Sequence, residues 1–139
     1  MVDREQGSEA AGASPGTILL VEDDHSVRFV LHRSLLKMGY RVVEATNGSE
    51  ALELLQDCGP LDLIITDVVM PEIGGFELVS RLPPEFRQVK VLFMSGYTGG
   101  DGGIDGQRIL EPGTHFLRKP FSVELLQKKV REMLNEALL

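Results

Sequence analysis

Apolar runs alternate with amphipathic stretches along this chain, and the alternation predicts an α/β fold: a single parallel five-stranded sheet with helices on both faces. Three observations carry that reading. The runs Ile18-Leu19-Leu20-Val21 and Leu63-Ile64-Ile65 are uninterrupted, as in strands buried on both faces. Stripes of helical period stand between such runs. Most of the runs also end in a charged or hydroxyl residue, and a parallel sheet would gather such ends along one edge.

The elements follow in order. Ile18 to Val21 is the first strand. Val27, Val30, Leu31, Leu35 and Met38 form a helical stripe that Gly39 stops. Tyr40 to Ala45 is the second strand. Asn47, with Glu50 three residues on, makes a capping-box-like start to a helix reaching Leu55. Leu63 to Ile65 is the third strand and ends at Thr66-Asp67. Gly75 to Leu82 is a short helix closed by Pro83-Pro84. Val89 to Met94 is the fourth strand, and Phe116-Leu117 lies in the fifth. Ser122 caps a last helix carrying Val123, Leu126, Val130, Met133 and Leu134. The fourth connection holds six glycines between Gly96 and Gly106. A fourth helix there is expected to be short or frayed, since each interior Gly costs about 1 kcal/mol against Ala.

Composition narrows the function. The 139 residues fit one domain. Residues 1–16, MVDREQGSEAAGASPG, read as a flexible leader or an interdomain linker from a longer protein, and residues 17–139 as the folded domain. Apolar residues are 42% and charged residues 25%, ordinary for a globular chain. No apolar run is long enough to span a membrane, and no h-region of a signal peptide is seen. The cytoplasm is the expected setting. The single cysteine, Cys58, excludes an internal disulfide framework and is expected to be an inert thiol. A net charge of -7 gives no general pull toward nucleic acid or anionic lipid. His25, His32 and His115 match no zinc spacing and read as structural.

The strand ends carry the chemistry. The first strand ends at Glu22-Asp23-Asp24, the third at Asp67, the fourth at Ser95 and the fifth at Lys119-Pro120. Taken singly, each has a plain explanation. The acid run can cap a helix, Asp67 can serve a turn, and Lys119 can be solvated. Taken together they make one shallow pocket. Its carboxylates need a cation, and hard oxygen donors suit Mg2+ or Mn2+. The lysine and hydroxyl suit an anionic guest. The set makes a place for a phosphoryl group with a carboxylate as nucleophile.

The order VEDD, LIITDVVMPEIGGFEL, VLFMSGYT, HFLRKPF resembles the receiver domain of two-component response regulators, from about Thr17 to Leu134. The resemblance implies the flavodoxin-like strand order 2-1-3-4-5. It implies that Asp67 is the phosphoacceptor. Glu22 and Asp23, with Asp67 and the Val69 carbonyl, would hold Mg2+. Ser95 would bond the phosphoryl oxygen and Lys119 would pair with it. Ser95 and Phe116 would form the switch that remodels the surface of the fourth connection, fifth strand and last helix. The Lys119-Pro120 peptide would be cis. The phosphoryl donor would be a histidine kinase or histidine phosphotransfer protein. By the same resemblance, Val69 and Tyr97 would flank the route of a hydrolytic water. An apolar and a bulky residue there predict a long-lived phosphoryl group.

Two contexts fit. TDVVMPEIGGFELVSRL and VLFMSGYT resemble the C-terminal receiver of a hybrid sensor histidine kinase, and the leader agrees. A stand-alone regulator is the alternative, and no output domain is expected after the last helix. The glycine-rich segment weakens a face that many receivers use to dimerise, so a monomer is expected. An aspartate-nucleophile phosphatase of the haloacid-dehalogenase type is a rival, but it needs a carboxylate where Val69 stands. A degenerate receiver that binds partners without phosphorylation is disfavoured because every acidic and basic element is present. No basic patch or helix-turn-helix supports DNA binding.

Overall fold

A computed structural model describes residues 16–96 and 115–135. The strands are β1 (Thr17–Val21), β2 (Arg41–Ala45), β3 (Leu63–Asp67), β4 (Lys90–Ser95) and β5 (His115–Arg118). The helices are α1 (His25–Lys37), α2 (Gly48–Leu54), α3 (Gly75–Ser80) and α4, the last described (Val123–Asn135). All strand pairs are parallel, in the order β2-β1-β3-β4-β5. The predicted α/β class and strand order are therefore observed. The expected leader falls almost wholly outside the described residues, as do the expected fourth helix and Tyr97.

Side-chain alternation along the strands divides the core in two. Ile18, Leu20, Leu63, Ile65, Leu92 and Met94 face one side and pack with Leu31 and Leu35 of α1 and Leu126, Val130 and Met133 of α4. Leu19, Val21 and Ile64 face the other, with Ala51 of α2 and Leu78 of α3. Both β1 and β3 are buried at every position, which is why their sequences do not alternate.

Local chemistry sets the boundaries. Gly39 takes a φ of 98° just past α1. Its N–H donates to the Leu36 carbonyl and the Tyr40 N–H to the Leu35 carbonyl, a Schellman closure. Tyr40 is used in that closure, so β2 begins at Arg41, one residue later than the pattern suggested. The Asn47 side chain accepts from the Glu50 N–H at 2.7 Å. Glu50 reaches back to the Thr46 N–H at 2.6 Å, one residue before the position an ordinary capping box uses. α3 ends at Ser80, short of Leu82, and Pro84–Phe86 forms a separate 3₁₀ turn.

Gly74 and Gly75 bring α3 against the end of β3. The Gly75 N–H donates to the Val68 carbonyl at 2.8 Å. A Cβ at Gly74 would stand 2.6 Å from the Val68 oxygen, and one at Gly75 would fall on the Asp67 carbonyl oxygen. Backbone has little room to give, so Gly75→Ala should destabilise the fold by about 1–3 kcal/mol, as overpacking does. Gly96→Ala, which meets nothing within 4 Å, should leave stability nearly unchanged. Urea unfolding of the two variants beside the parent checks this.

Candidate functional site

Sheet register builds the site. Val21 lies beside Thr66, so the next residues, Glu22 and Asp67, reach the carboxyl edge side by side. Asp67 pairs with Met94 and Ser95 with Arg118. Lys119 comes next, and its N–H donates to the Ser95 carbonyl at 2.8 Å. The Lys119-Pro120 peptide is cis.

One ammonium joins two buried carboxylates. Lys119 Nζ donates to Glu22 Oε1 at 2.7 Å and lies 2.7 Å from Asp67 Oδ1. Glu22 is 1% exposed and Asp67 5%. Burial and the adjoining Glu22 push the Asp67 carboxyl up to about 7, against the opposing pull of Lys119. Burial alone would lower the Lys119 pKa, but its bonds to Asp67 and Glu22 raise it above the ordinary value. The exposed Asp23 completes a trio, with one oxygen from each carboxylate lying within 4.8 Å of the other two.

Three carboxylates facing one ammonium leave negative charge in a partly dry site. All the donors are hard oxygens and one faces solvent. Such a set fits Mg2+ or Mn2+, which take carboxylate oxygens and retain waters.

The acid run divides its labour. Glu22 and Asp23 face the site. Asp24 caps α1, accepting from the Val27 N–H at 3.0 Å. Both explanations open to the acid run thus apply, to different residues.

The remaining expected residues are placed as follows. Ser95 is half-buried at the end of β4, and its hydroxyl donates to the Gly96 carbonyl at 3.3 Å rather than toward the carboxylates. Phe116 is half-buried on β5, stacked on Phe93 with ring centroids 5.4 Å apart. Phe76 of α3 closes an aromatic trio at 4.7 Å from Phe93 and 6.2 Å from Phe116. Val69 stands 66% exposed just beyond β3.

Sequence reasoning missed Arg28. Its Nη1 donates to the Glu22 carbonyl at 2.8 Å. The signal was its place one turn past the Asp24 cap, since helical side chains lean back toward the N-terminus. The aromatic trio was missed too, because its members come from three separated segments.

The folded Asp67 carboxyl holds its proton more tightly than its ordinary value of 3.8. Folding therefore takes up a proton between the two pKa values, and this group's contribution to stability is lost as pH rises from 3.8 to about 7. In chelator, Asp67→Asn should melt several degrees above the parent at pH 8, with the gap closing toward pH 4. Thermal melts across that range measure it.

Residues 18–131 match the family model "Response regulator receiver domain". The sensor kinase CckA of Brucella abortus is 37% identical over 133 residues, which is 95% of this chain and 14% of that protein. The response regulator receiver protein CpdR of the same organism is 36% identical over 117 residues, 84% of this chain and 95% of that protein. The crystal structure of the receiver domain of hybrid histidine kinase CckA superposes with a TM-score of 0.70 at 35% identity, covering 86% of this chain and 99% of that one. The chemotaxis protein CheY4 of Vibrio cholerae superposes at 0.72 with 32% identity, covering 84% and 97%. A match over most of the sheet-forming sequence, joined to the acid–lysine edge above, leaves one conclusion: the chain belongs to the response regulator receiver domain family of two-component signalling.

Proposed function

We propose that Asp67 accepts a phosphoryl group from a phosphohistidine on a histidine kinase or histidine phosphotransfer protein, with residues 17–139 as the receiver unit. The observation that carries the reading is the buried Asp67 carboxylate, held by Lys119 at 2.7 Å and flanked by Glu22 and Asp23. An Asp67 oxygen attacks phosphorus as the P–N bond breaks, and the imidazole of the donor leaves. Lys119 stands where negative charge spreads over the transferring oxygens. Glu22, Asp23, Asp67 and the Val69 carbonyl would hold Mg2+. When bound, the ion offsets repulsion between the anionic carboxylate and the incoming phosphoryl group.

Ser95 would then turn from the Gly96 carbonyl to bond the new phosphoryl oxygen. Phe116 would follow it, its ring packing against Phe93 and Phe76 in place of any hydroxyl contact. The surface of β5 and α4 would change with it.

Two settings remain, and the match to CckA favours the receiver of a hybrid sensor kinase. That match covers 95% of the chain and so reaches into residues 1–16. The stand-alone form, as in CpdR, is the second reading. We take the domain to be cytoplasmic, where phosphohistidine donors reside, and monomeric. Among the described residues no helix is long and apolar enough to cross a membrane.

Incubation with Mg2+ and acetyl phosphate, read by intact mass, should add one hydroxylamine-labile phosphoryl group to the parent and none to Asp67→Ala. Uptake by Asp67→Ala would overturn the assignment. The exposed, apolar Val69 offers no group to orient a hydrolytic water. Val69→Asn should therefore shorten the lifetime of the phosphoryl group several-fold, measured as decay of the phosphorylated mass. An unchanged decay would remove Val69 from that role.

A further inference from the structure

We propose that Arg28 is a positioning residue for divalent-cation binding, holding the Glu22–Asp23 turn in the shape that the ion requires. The inference rests on the reading of the acidic trio as a cation site.

Arg28 lies one turn into α1, its N–H on the Asp24 carbonyl at 2.9 Å. Its side chain is 12% exposed and runs back to the end of β1. There Nη1 donates to the Glu22 carbonyl at 2.8 Å. Nε lies 3.6 Å from Glu44 Oε1 on β2, and His32 of α1 holds the other Glu44 oxygen. Nη2 is 3.3 Å from His25 Nδ1. One planar guanidinium thus ties the end of β1 to β2 and to α1.

The Glu22 peptide needs that tie. Its N–H is satisfied by the Ala45 carbonyl at 3.1 Å. Its carbonyl lies beyond the last residue pair of β1 and β3, Val21 with Thr66. A buried carbonyl without a donor costs about 1–3 kcal/mol, and a guanidinium supplies the donor in a fixed direction. Asp23 depends on the result. Its carboxylate is exposed, and no described side-chain bond anchors it. Its aim is therefore set by the backbone of the turn that Arg28 fixes.

Charge and position make opposite demands here. As a cation near the trio, Arg28 repels a second cation. Removing it as a mere charge would tighten metal binding. Removing it as a support would weaken binding.

The test is Mn2+ titration of the whole chain, with free Mn2+ read by electron paramagnetic resonance, alongside melting temperatures of the metal-free proteins. The parent should bind one Mn2+, and Asp23→Asn should lose most of that affinity. Arg28→Met should bind about tenfold more weakly, as loss of a support behind a metal ligand does. Arg28→Lys keeps the charge but cannot serve both Glu22 and Glu44, so it should fall between. The amide resonance of Asp23 should move in metal-free Arg28→Met while those of α4 stay in place. Equal or tighter Mn2+ binding by a folded Arg28→Met would overturn the inference. If Arg28→Met does not fold, Arg28→Lys decides, and parent-like affinity there overturns it. Absence of Mn2+ binding by the parent would instead overturn the cation-site reading, and this inference with it.

Discussion

The site depends on one ammonium between two buried carboxylates. Glu22 and Asp67 leave adjacent strands with their side chains out of water, and like charges so placed repel strongly. Lys119 makes the arrangement tolerable by touching both. Removing Lys119 would cost about 3–5 kcal/mol, because both buried carboxylates would stay behind uncompensated, whereas removing Asp67 leaves Lys119 still paired with Glu22. Even so, Lys119 does not offset everything, since burial first and the neighbouring Glu22 second still hold the Asp67 carboxyl above its ordinary value. Hard carboxylate oxygens in surplus over one ammonium are a donor set that suits a divalent cation.

Everything else serves to hold those three side chains at that edge. Strand register sets Glu22 beside Asp67, and the β4–β5 pairing carries Lys119 to the same rim. Two apolar layers, one on each face, keep the sheet from slipping. Gly74 and Gly75 let α3 rest directly on the backbone around Asp67, with no side chain between.

Much of this was legible in the sequence. Unbroken runs such as Leu63-Ile64-Ile65 identified strands buried on both sides, and the acids and lysine at their ends identified the edge. Asn47 and Gly39 marked helix boundaries through their own chemistry. What escaped was whatever depends on distance in space rather than along the chain. The tie from Arg28 to Glu44 crosses from a helix to a strand, and no periodicity records it. Phe116 is legible as a switch residue through the resemblance alone, and only the fold gathers it with Phe76 and Phe93 into one cluster. The one-residue delay of β2 came from the closure of α1, where Tyr40 serves the helix before it can serve the strand.

The span of the Lys119–Glu22 contact has a consequence for synthesis of the chain. The two residues are 97 positions apart. Glu22 emerges from the ribosome first, Asp67 next and Lys119 after both. Until β5 docks, Glu22 and Asp67 have no common counter-charge, and the last long-range pairing is slow to form. A copy still lacking β5 would therefore carry Glu22 and Asp67 without the lysine that bridges them. The bridged, three-charge edge would then form only once β5 has joined the sheet.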